Sequence, residues 1–208
     1  MILRRSVLLL ILLAGFTESL WAASGVQQLE AFLSGLTTLQ ADFRQILQQP
    51  DNDQGYISNG VFYMKRPGLL RWEYKTPNQQ VIVADGNRIW LHDIELKQAS
   101  FRSQKTVLKG TPAQLLSNTD PVDKHFQVNE LPDQDDLSWI ELVPKEKEAQ
   151  FSSVRLAFNG NSLERMDMYD TFGQVTRFFF YNMQRNPNLS NSLFEFEPPP
   201  LIDLIGDL

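Results

Sequence analysis

Apolar and polar residues alternate along most of the chain with the two-residue period of a β-strand. The stretch from 61 to 74, VFYMKRPGLLRWEY, contains two such strands separated by the turn-forming pair Pro67–Gly68. If these strands pair across the turn, their apolar faces form one surface, and Arg66 lies at its edge. That surface carries Phe62 and Met64 from the first strand and Leu70, Trp72 and Tyr74 from the second.

The same period predicts further short strands, most of them ending at Gly, Pro, Asn or Asp. A strand from 39 to 48 carries Phe43 and stops at Pro50, where DNDQG predicts a turn. Short connections such as ADGNR indicate antiparallel hairpins. The two strands described first extend over 56–65 and 69–75. The other predicted strands are 79–84, 88–93 (with Trp90), 95–101, 124–130, 137–143, 151–158, 162–169, 174–182 and 193–197.

Two segments have helical periodicity instead. Apolar residues recur at three- and four-residue steps from about 25 to 35, which predicts an amphipathic helix that includes Leu33. In GTPAQLLS, Thr111 is a suitable N-cap and Pro112 suits the first helical position, while Leu115 and Leu116 give the helix one apolar side.

About 11 antiparallel strands and two short helices predict one large curved sheet, an incomplete antiparallel β-barrel whose apolar inner face is covered by a short-helix lid. We find no internal repeat and no linker, so residues 25–208 are predicted to form a single domain. Each apolar residue of the inner face could belong either to an ordinary core or to a cavity wall, because the two surfaces are continuous in such a fold.

The first residues have the features of a secretory signal peptide. Arg4 and Arg5 precede an apolar run, and small residues follow at 22–24, so we expect a signal peptide over 1–24 with cleavage near 22–24. No stretch is long enough for a spanning helix. The chain lacks cysteine, which excludes disulfides and lipid attachment through an N-terminal cysteine. The expected product is an exported, soluble monomer.

Composition and motifs argue against several functions. The net charge of −6 without a basic stripe makes the chain a poor binder of nucleic acid or anionic membranes. Only His92 and His125 could provide imidazole, and no motif supplies partners, so we expect no metal and no cofactor. Glu195 and Glu197 share a strand face and keep a hydrolase on a β-sandwich as a minor alternative. A solvated edge is the simpler interpretation, and we do not expect an enzyme.

Three runs resemble one family. GVFYMKRPGLLRWEYKTPNQQVIVADGNRIWLHDIELKQ, TPAQLL and the closing FEFEPPPLIDLI are similar to the outer-membrane lipoprotein carrier proteins, the LolA family. The most specific part runs from Lys65–Arg66–Pro67 to Trp72. One departure is Leu201, where the family usually has glycine, and it concerns only the C-terminal turn.

The resemblance implies a periplasmic chaperone with an incomplete barrel closed by helices. It would take acylated lipoproteins from an inner-membrane ABC-type lipoprotein exporter and pass them to an outer-membrane lipoprotein receptor. The expected acyl cavity is lined by residues of the apolar strands and of the second helix, namely Phe43, Phe62, Met64, Leu70, Trp72, Tyr74, Trp90, Leu115 and Leu116.

In that family the arginine of the K-R-P motif holds the lid shut, and we carry this role to Arg66. A guanidinium at the rim of an apolar surface needs acceptors, and backbone carbonyls at helix ends are the best available. The expected latch comprises Arg66 with Leu33, Leu36, Pro112 and Ala113. A periplasmic sensor or scaffold domain of the same fold stays open as an alternative, and it would have a stable protein partner and no cavity.

Overall fold

The computed structural model describes residues 23–50, 52–147 and 149–206, so the predicted signal peptide lies almost wholly outside the described residues. Four helices and a 3-10 turn accompany the strands. In chain order the elements are α1 (Gly25–Leu33), β1 (Thr38–Gln49), β2 (Asn52–Lys65), β3 (Leu69–Thr76), β4 (Gln80–Asp85), β5 (Arg88–Asp93), β6 (Gln98–Ser103), α2 (Gln104–Val107), α3 (Pro112–Ser117), α4 (Val122–His125), β7 (Phe126–Glu130), β8 (Ser138–Pro144), β9 (Phe151–Asn159), β10 (Ser162–Asp170), β11 (Val175–Arg185), the 3-10 turn (Asn191–Phe194) and β12 (Asp203–Gly206).

The described strands form one sheet of 12 strands in the order β12-β6-β5-β4-β3-β2-β1-β11-β10-β9-β8-β7. All neighbours are antiparallel except β12, which runs parallel to β6. Strands β12 and β7 lie at the two ends of this order and do not pair with each other, so the sheet stays open. The predicted incomplete antiparallel barrel is confirmed.

The inner face of the sheet, which the helices cover, holds the core. Residues Phe62 and Met64 of β2 are opposite Trp72 and Leu70 of β3, so the pairing across Pro67–Gly68 brings the apolar faces together. Helix α1 packs on β7, β8 and β9. Its buried Phe32 contacts Phe158, with ring centroids 5.8 Å apart. Burial of such side chains is the main favourable term in folding.

The outer face is covered differently on its two halves. Over β2–β6, the chain after β11 crosses the sheet: the side chain of Lys65 donates to the carbonyl oxygen of Leu189 at 3.3 Å, and Phe194 is buried. Phe196 packs on Trp90, with ring centroids 5.3 Å apart. Over β8–β11, the buried carboxylate of Asp167 receives two hydrogen bonds from the guanidinium of Arg165.

Several predicted elements differ in the structure. The DNDQG segment is not simply a turn, because β2 begins at Asn52 and pairs with the end of β1. The segment predicted as a strand from 193 to 197 is the end of the 3-10 turn followed by irregular chain. Residues 94–97 form a turn, so β6 begins at Gln98. Three further elements, α2, α4 and β12, have no clear periodicity in the sequence because each has only four residues.

Leu201 adopts a positive φ of 67° and is 98% exposed. This left-handed conformation favours glycine, because a side chain there costs about 1–2 kcal/mol. This conformation gives a physical reason for the glycine that the resemblance predicts at this position. This chain has leucine there, and the leucine side chain has no packing role because it is exposed.

The pairing of β2 with β3 leaves no room for a side chain at residue 60. A Cβ atom on Gly60 would lie 1.9 Å from the carbonyl oxygen of Glu73 and 2.7 Å from the ring of Phe43. We expect Gly60→Ala to destabilise the fold by at least ~1–3 kcal/mol, the usual cost of overpacking. Urea denaturation measures this, with Ser58→Ala on the same strand as control. Equal stability of the two variants would contradict the close approach.

Candidate functional site: an apolar cavity under a helical lid

An apolar cavity of about 570 Å³ lies on the inner face. One wall is formed by β3–β6 and the other by β9–β11, while the segment from 107 to 113 forms the roof. Most of the lining is hydrocarbon. It comprises Leu70, Trp72, Tyr74, Ile82, Ala84, Ile89, Leu91, Ser100, Phe101, Arg102, Val107, Leu108, Thr111, Pro112, Ala113, Gln150, Phe151, Met166, Met168 and Phe178.

The structure separates the predicted cavity residues into three groups. Leu70, Trp72 and Tyr74 line the cavity. Trp90 does not, because its neighbours Ile89 and Leu91 face inward and Trp90 points to the outer face, where its Nε1 donates to Asp85 at 2.9 Å. The others are buried in the packed core beside the cavity, each at most 7% exposed: Phe43, Phe62, Met64, Leu115 and Leu116.

The cavity floor is an aromatic cluster. The ring of Trp72 lies 4.4 Å from Phe62, 5.2 Å from Phe178 and 5.3 Å from Phe43, measured between centroids. Phe178 lines the cavity from β11 and was not among the predicted residues. The alternation of β11 places it on the same face as Phe180, so the signal was present in the sequence. Tilted contacts of this kind favour a rigid floor.

One polar contact lies within this floor. The hydroxyl of Tyr74 donates to Oε1 of Gln45 at 2.7 Å. Burial raises the pKa of Tyr74 well above its ordinary value, so the phenol stays protonated at physiological pH. The hydroxyl therefore adds no charge to the cavity, and its hydrogen-bonding need is met within the protein.

Arg66 lies between the two helices of the lid. Its Nε donates to the carbonyl oxygen of Leu116 in α3 at 2.8 Å, and its Nη1 donates to that of Leu33 in α1 at 3.4 Å. Partial burial lowers the pKa of Arg66. None of the carboxylates in the described residues pairs with it, and the backbone carbonyls are its acceptors.

The other predicted latch residues lie in two places. Leu36 is buried and its backbone N–H donates to the carbonyl oxygen of Leu33 at 3.2 Å. Pro112 and Ala113 begin α3 and line the roof of the cavity. The structure therefore brings Arg66 together with the carbonyl of Leu33, whereas the two residues at the start of α3 contact the cavity instead.

A second cavity of about 580 Å³ lies on the other side of α3. Arg66 and Leu115 belong to its wall, together with α1 and the chain that follows α3. Unlike the first cavity, it has several ionisable side chains at its rim, including Glu30, Asp120 and Asp123.

Helix α1 has anchors that the sequence did not suggest. Nη2 of Arg185 donates to the carbonyl oxygens of Phe32 at 2.9 Å and Ser34 at 3.0 Å, at the end of the helix. At its start, the carboxylate of Glu130 accepts from the backbone N–H groups of Gly25 and Val26. These partners are 104 or more residues apart in the chain, so no local pattern could reveal them.

Residues considered for catalysis are not gathered in a cleft. His92 packs on the ring of Phe196 on the outer face, and Glu195 and Glu197 are exposed. Within the described residues no three His, Cys, Asp or Glu side chains are close enough to hold a metal ion. The helices of that same part of the chain are too short or too polar to cross a membrane.

A family model described as "Outer membrane lipoprotein carrier protein LolA" matches residues 34–197. The chain belongs to this family. It is 36% identical to an outer-membrane lipoprotein carrier protein of Dechloromonas aromatica over 185 residues, which cover 89% of each chain. It is 37% identical to one of Chromobacterium violaceum over 184 residues, which cover 88% of each chain.

A solved structure has a similar fold. The crystal structure of an uncharacterized conserved protein from Thermus thermophilus matches with a TM-score of 0.54 at 13% identity, covering 88% of this chain and 96% of the other. At this identity the likeness concerns the fold alone.

The chain after α3 contains a small ionic cluster. Asp120 accepts hydrogen bonds from Nζ of Lys124 at 2.8 Å and from Nε2 of His125 at 2.9 Å. These two bonds lower the pKa of Asp120 to about 2, and the bond from Lys124 has the larger effect.

This lowered pKa makes a prediction about acid stability. The cluster stabilises the fold fully above the ordinary Asp pKa of about 4, and this contribution is lost as the pH falls through about 2. We expect wild type to melt above Asp120→Asn at pH 7 and the difference to shrink between about pH 4 and pH 2. Thermal melts at several pH values measure this. A stability difference between the two proteins that does not depend on pH would contradict the assignment.

Proposed function

We propose that this protein is a periplasmic lipoprotein carrier that holds the acyl chains of its cargo in the inner cavity. The observation that supports this most directly is the apolar cavity of about 570 Å³ beneath a lid that Arg66 ties to the sheet. Membership of a carrier family agrees with it, and also with the expectation that the protein is not an enzyme.

The cavity suits a ligand made of hydrocarbon. Moving an acyl chain of about 14 methylenes from water into an apolar site is worth ~11 kcal/mol at ~0.8 kcal/mol per methylene. A cargo with two or three chains would be held too tightly for delivery. A carrier therefore needs a competing interaction that reforms when the ligand leaves.

Arg66 provides such an interaction. In the empty protein it bonds to both α1 and α3, and a ligand that displaces α3 must break at least the bond to Leu116. Charge-assisted hydrogen bonds contribute ~1.5–3 kcal/mol each. When these bonds form again on closure, they favour release of the ligand by several kcal/mol. Delivery to an acceptor with a more apolar site is then favourable.

The rest of the pathway belongs to the same proposal. The predicted signal peptide over 1–24 would export the chain to the periplasm, where it would act as a soluble monomer. Its donor would be an inner-membrane ABC-type lipoprotein exporter, and its acceptor an outer-membrane lipoprotein receptor. The family match and the curated relatives support lipoprotein transport in the periplasm, whereas the donor, the acceptor and the monomeric state are part of the proposal.

Replacing Arg66 by Leu tests the latch. We expect uptake of a lipoprotein to persist while delivery slows at least tenfold, because the contacts that favour closure are gone. The measurement is transfer from loaded carrier to outer membranes. Arg44→Leu, which removes an exposed arginine from β1, is the matched control. Normal transfer by Arg66→Leu would exclude the latch role. Unfolding of the variant would show instead that Arg66 is needed for the stability of the fold.

Replacing Leu70 by Glu tests the cavity. Leu70 is 6% exposed but lines the cavity, so the carboxylate can hydrate there without disrupting packed neighbours. We expect a folded variant with at least tenfold weaker binding of a fluorescent fatty acid, because the site is no longer apolar. Leu70→Met serves as control, since it preserves the hydrocarbon surface. Global unfolding of Leu70→Glu would show a packed core instead of a cavity wall.

A further inference from the structure

The lid segment from 104 to 117 is fastened at both ends to one residue, Gly68. The backbone N–H of Gly68 donates to the carbonyl oxygen of Ser117 at 2.9 Å. Its carbonyl oxygen accepts from Nε2 of Gln104 at 2.7 Å. Gly68 lies in the turn between β2 and β3, two residues after Arg66. This turn therefore binds the last residue of α3 through its amide and the first residue of α2 through its carbonyl.

Gln104 is connected to a second turn as well. Its Oε1 accepts from the backbone N–H of Gly86 at 2.9 Å, and its own backbone N–H donates to the carbonyl oxygen of Asn87 at 2.9 Å. The side chain is 7% exposed, and both polar atoms of its amide are paired. A buried amide that joins two turns in this way restricts the position of both.

Gly68 is held by these contacts from outside its own hairpin. It has a φ of 75° and lies in the tight turn closed by the last ladder pair, Lys65 with Leu69. Arg66 is fixed at its own backbone by a hydrogen bond from its N–H to the carbonyl oxygen of Thr37 at 2.8 Å. The bond to Thr37 and the contacts of Gln104 together fix this turn, which holds the guanidinium within reach of the carbonyl oxygen of Leu116.

We infer that Gln104 is a positioning residue of the latch, which holds the turn from 66 to 68 where Arg66 can bind the closed lid. This inference rests on the proposed carrier function. Without the amide of Gln104, the carbonyl of Gly68 and the N–H of Gly86 both lose their partners. The latch turn then moves more freely, and the empty protein gains less from closing.

The experiment follows the dissociation of a fluorescent fatty acid, cis-parinaric acid, from purified protein. Gln104→Leu removes both side-chain hydrogen bonds, whereas Gln104→Glu keeps the acceptor for Gly86 and loses only the donor to Gly68. We expect dissociation to slow by about tenfold in Gln104→Leu and by a smaller factor in Gln104→Glu. Lys105→Leu changes the exposed next residue of α2 and should release the probe at the wild-type rate.

A purely structural role gives the opposite sign. If Gln104 only stabilised the fold, its loss would loosen the cavity, so the probe would dissociate faster and bind more weakly. That result, or wild-type dissociation in Gln104→Glu, would overturn the inference. Should Gln104→Leu fail to fold, Gln104→Glu alone decides the question.

Coupling to Arg66 gives a second readout. If both residues act through one latch, Gln104→Leu combined with Arg66→Leu should slow dissociation no more than Arg66→Leu alone. Effects that multiply would show that Gln104 acts independently of the latch and would overturn the inference. Failure of wild type to bind the probe is a different result, because it would reject the proposed function itself, and the inference with it.

Discussion

A half-buried guanidinium needs hydrogen-bond acceptors. Arg66 finds them at backbone carbonyls of two helices, α1 and α3, that are distant from it in the chain. Carbonyls near a helix C-terminus carry partial negative charge, so they are suitable partners for a cation. A carboxylate would have formed a stronger pair, and the lid would then open less readily. In the proposed latch, neutral acceptors would keep the closed state favourable but reversible.

The two helices that Arg66 joins are anchored by different contacts. Helix α1 is fixed at its start by Glu130 and at its end by Arg185, and Gln28 in its middle donates to Oγ of Ser138 at 2.9 Å. The segment from 104 to 117 is held near its ends by Gln104 and Ser117, and in its middle by the ion pair of Lys109 with Glu146, 2.9 Å between Nζ and Oε2. Its middle also forms the cavity roof, so it is the part of the lid that a ligand in the cavity would displace.

Much of the fold was predictable because strand alternation is a local property. The pairing of β2 with β3 and the inward position of Leu70, Trp72 and Tyr74 follow directly from it. Trp90 shows the limit of the method. It is large and apolar like the cavity residues, but it lies on the outer face because the C-terminal segment supplies Phe196 as a second apolar layer. The alternation of a strand cannot tell a residue that a distant segment buries on the outer face from one that lines the cavity.

Alternation also cannot distinguish cavity from core, and the structure shows what does. Phe62 and Trp72 are opposite each other on one face, but Phe62 is 1% exposed in the core while Trp72 borders the cavity. The difference arises from what lies above the sheet. Phe62 packs in the core cluster that includes Phe32 of α1 and Leu116 of α3, whereas Trp72 lies under the roof from 107 to 113, which leaves space above it.

An apolar space of this kind is not filled by the protein's own residues, so its lining lacks contacts that a packed core would have. Those missing contacts are the free energy that a hydrocarbon ligand can recover on entering. In the proposed carrier the latch acts in the opposite direction, because displacement of the roof would break the bond from Arg66 to Leu116. On this proposal the difference between the two effects sets the affinity, and a modest change at the turn from 66 to 68 would alter retention without changing the cavity surface.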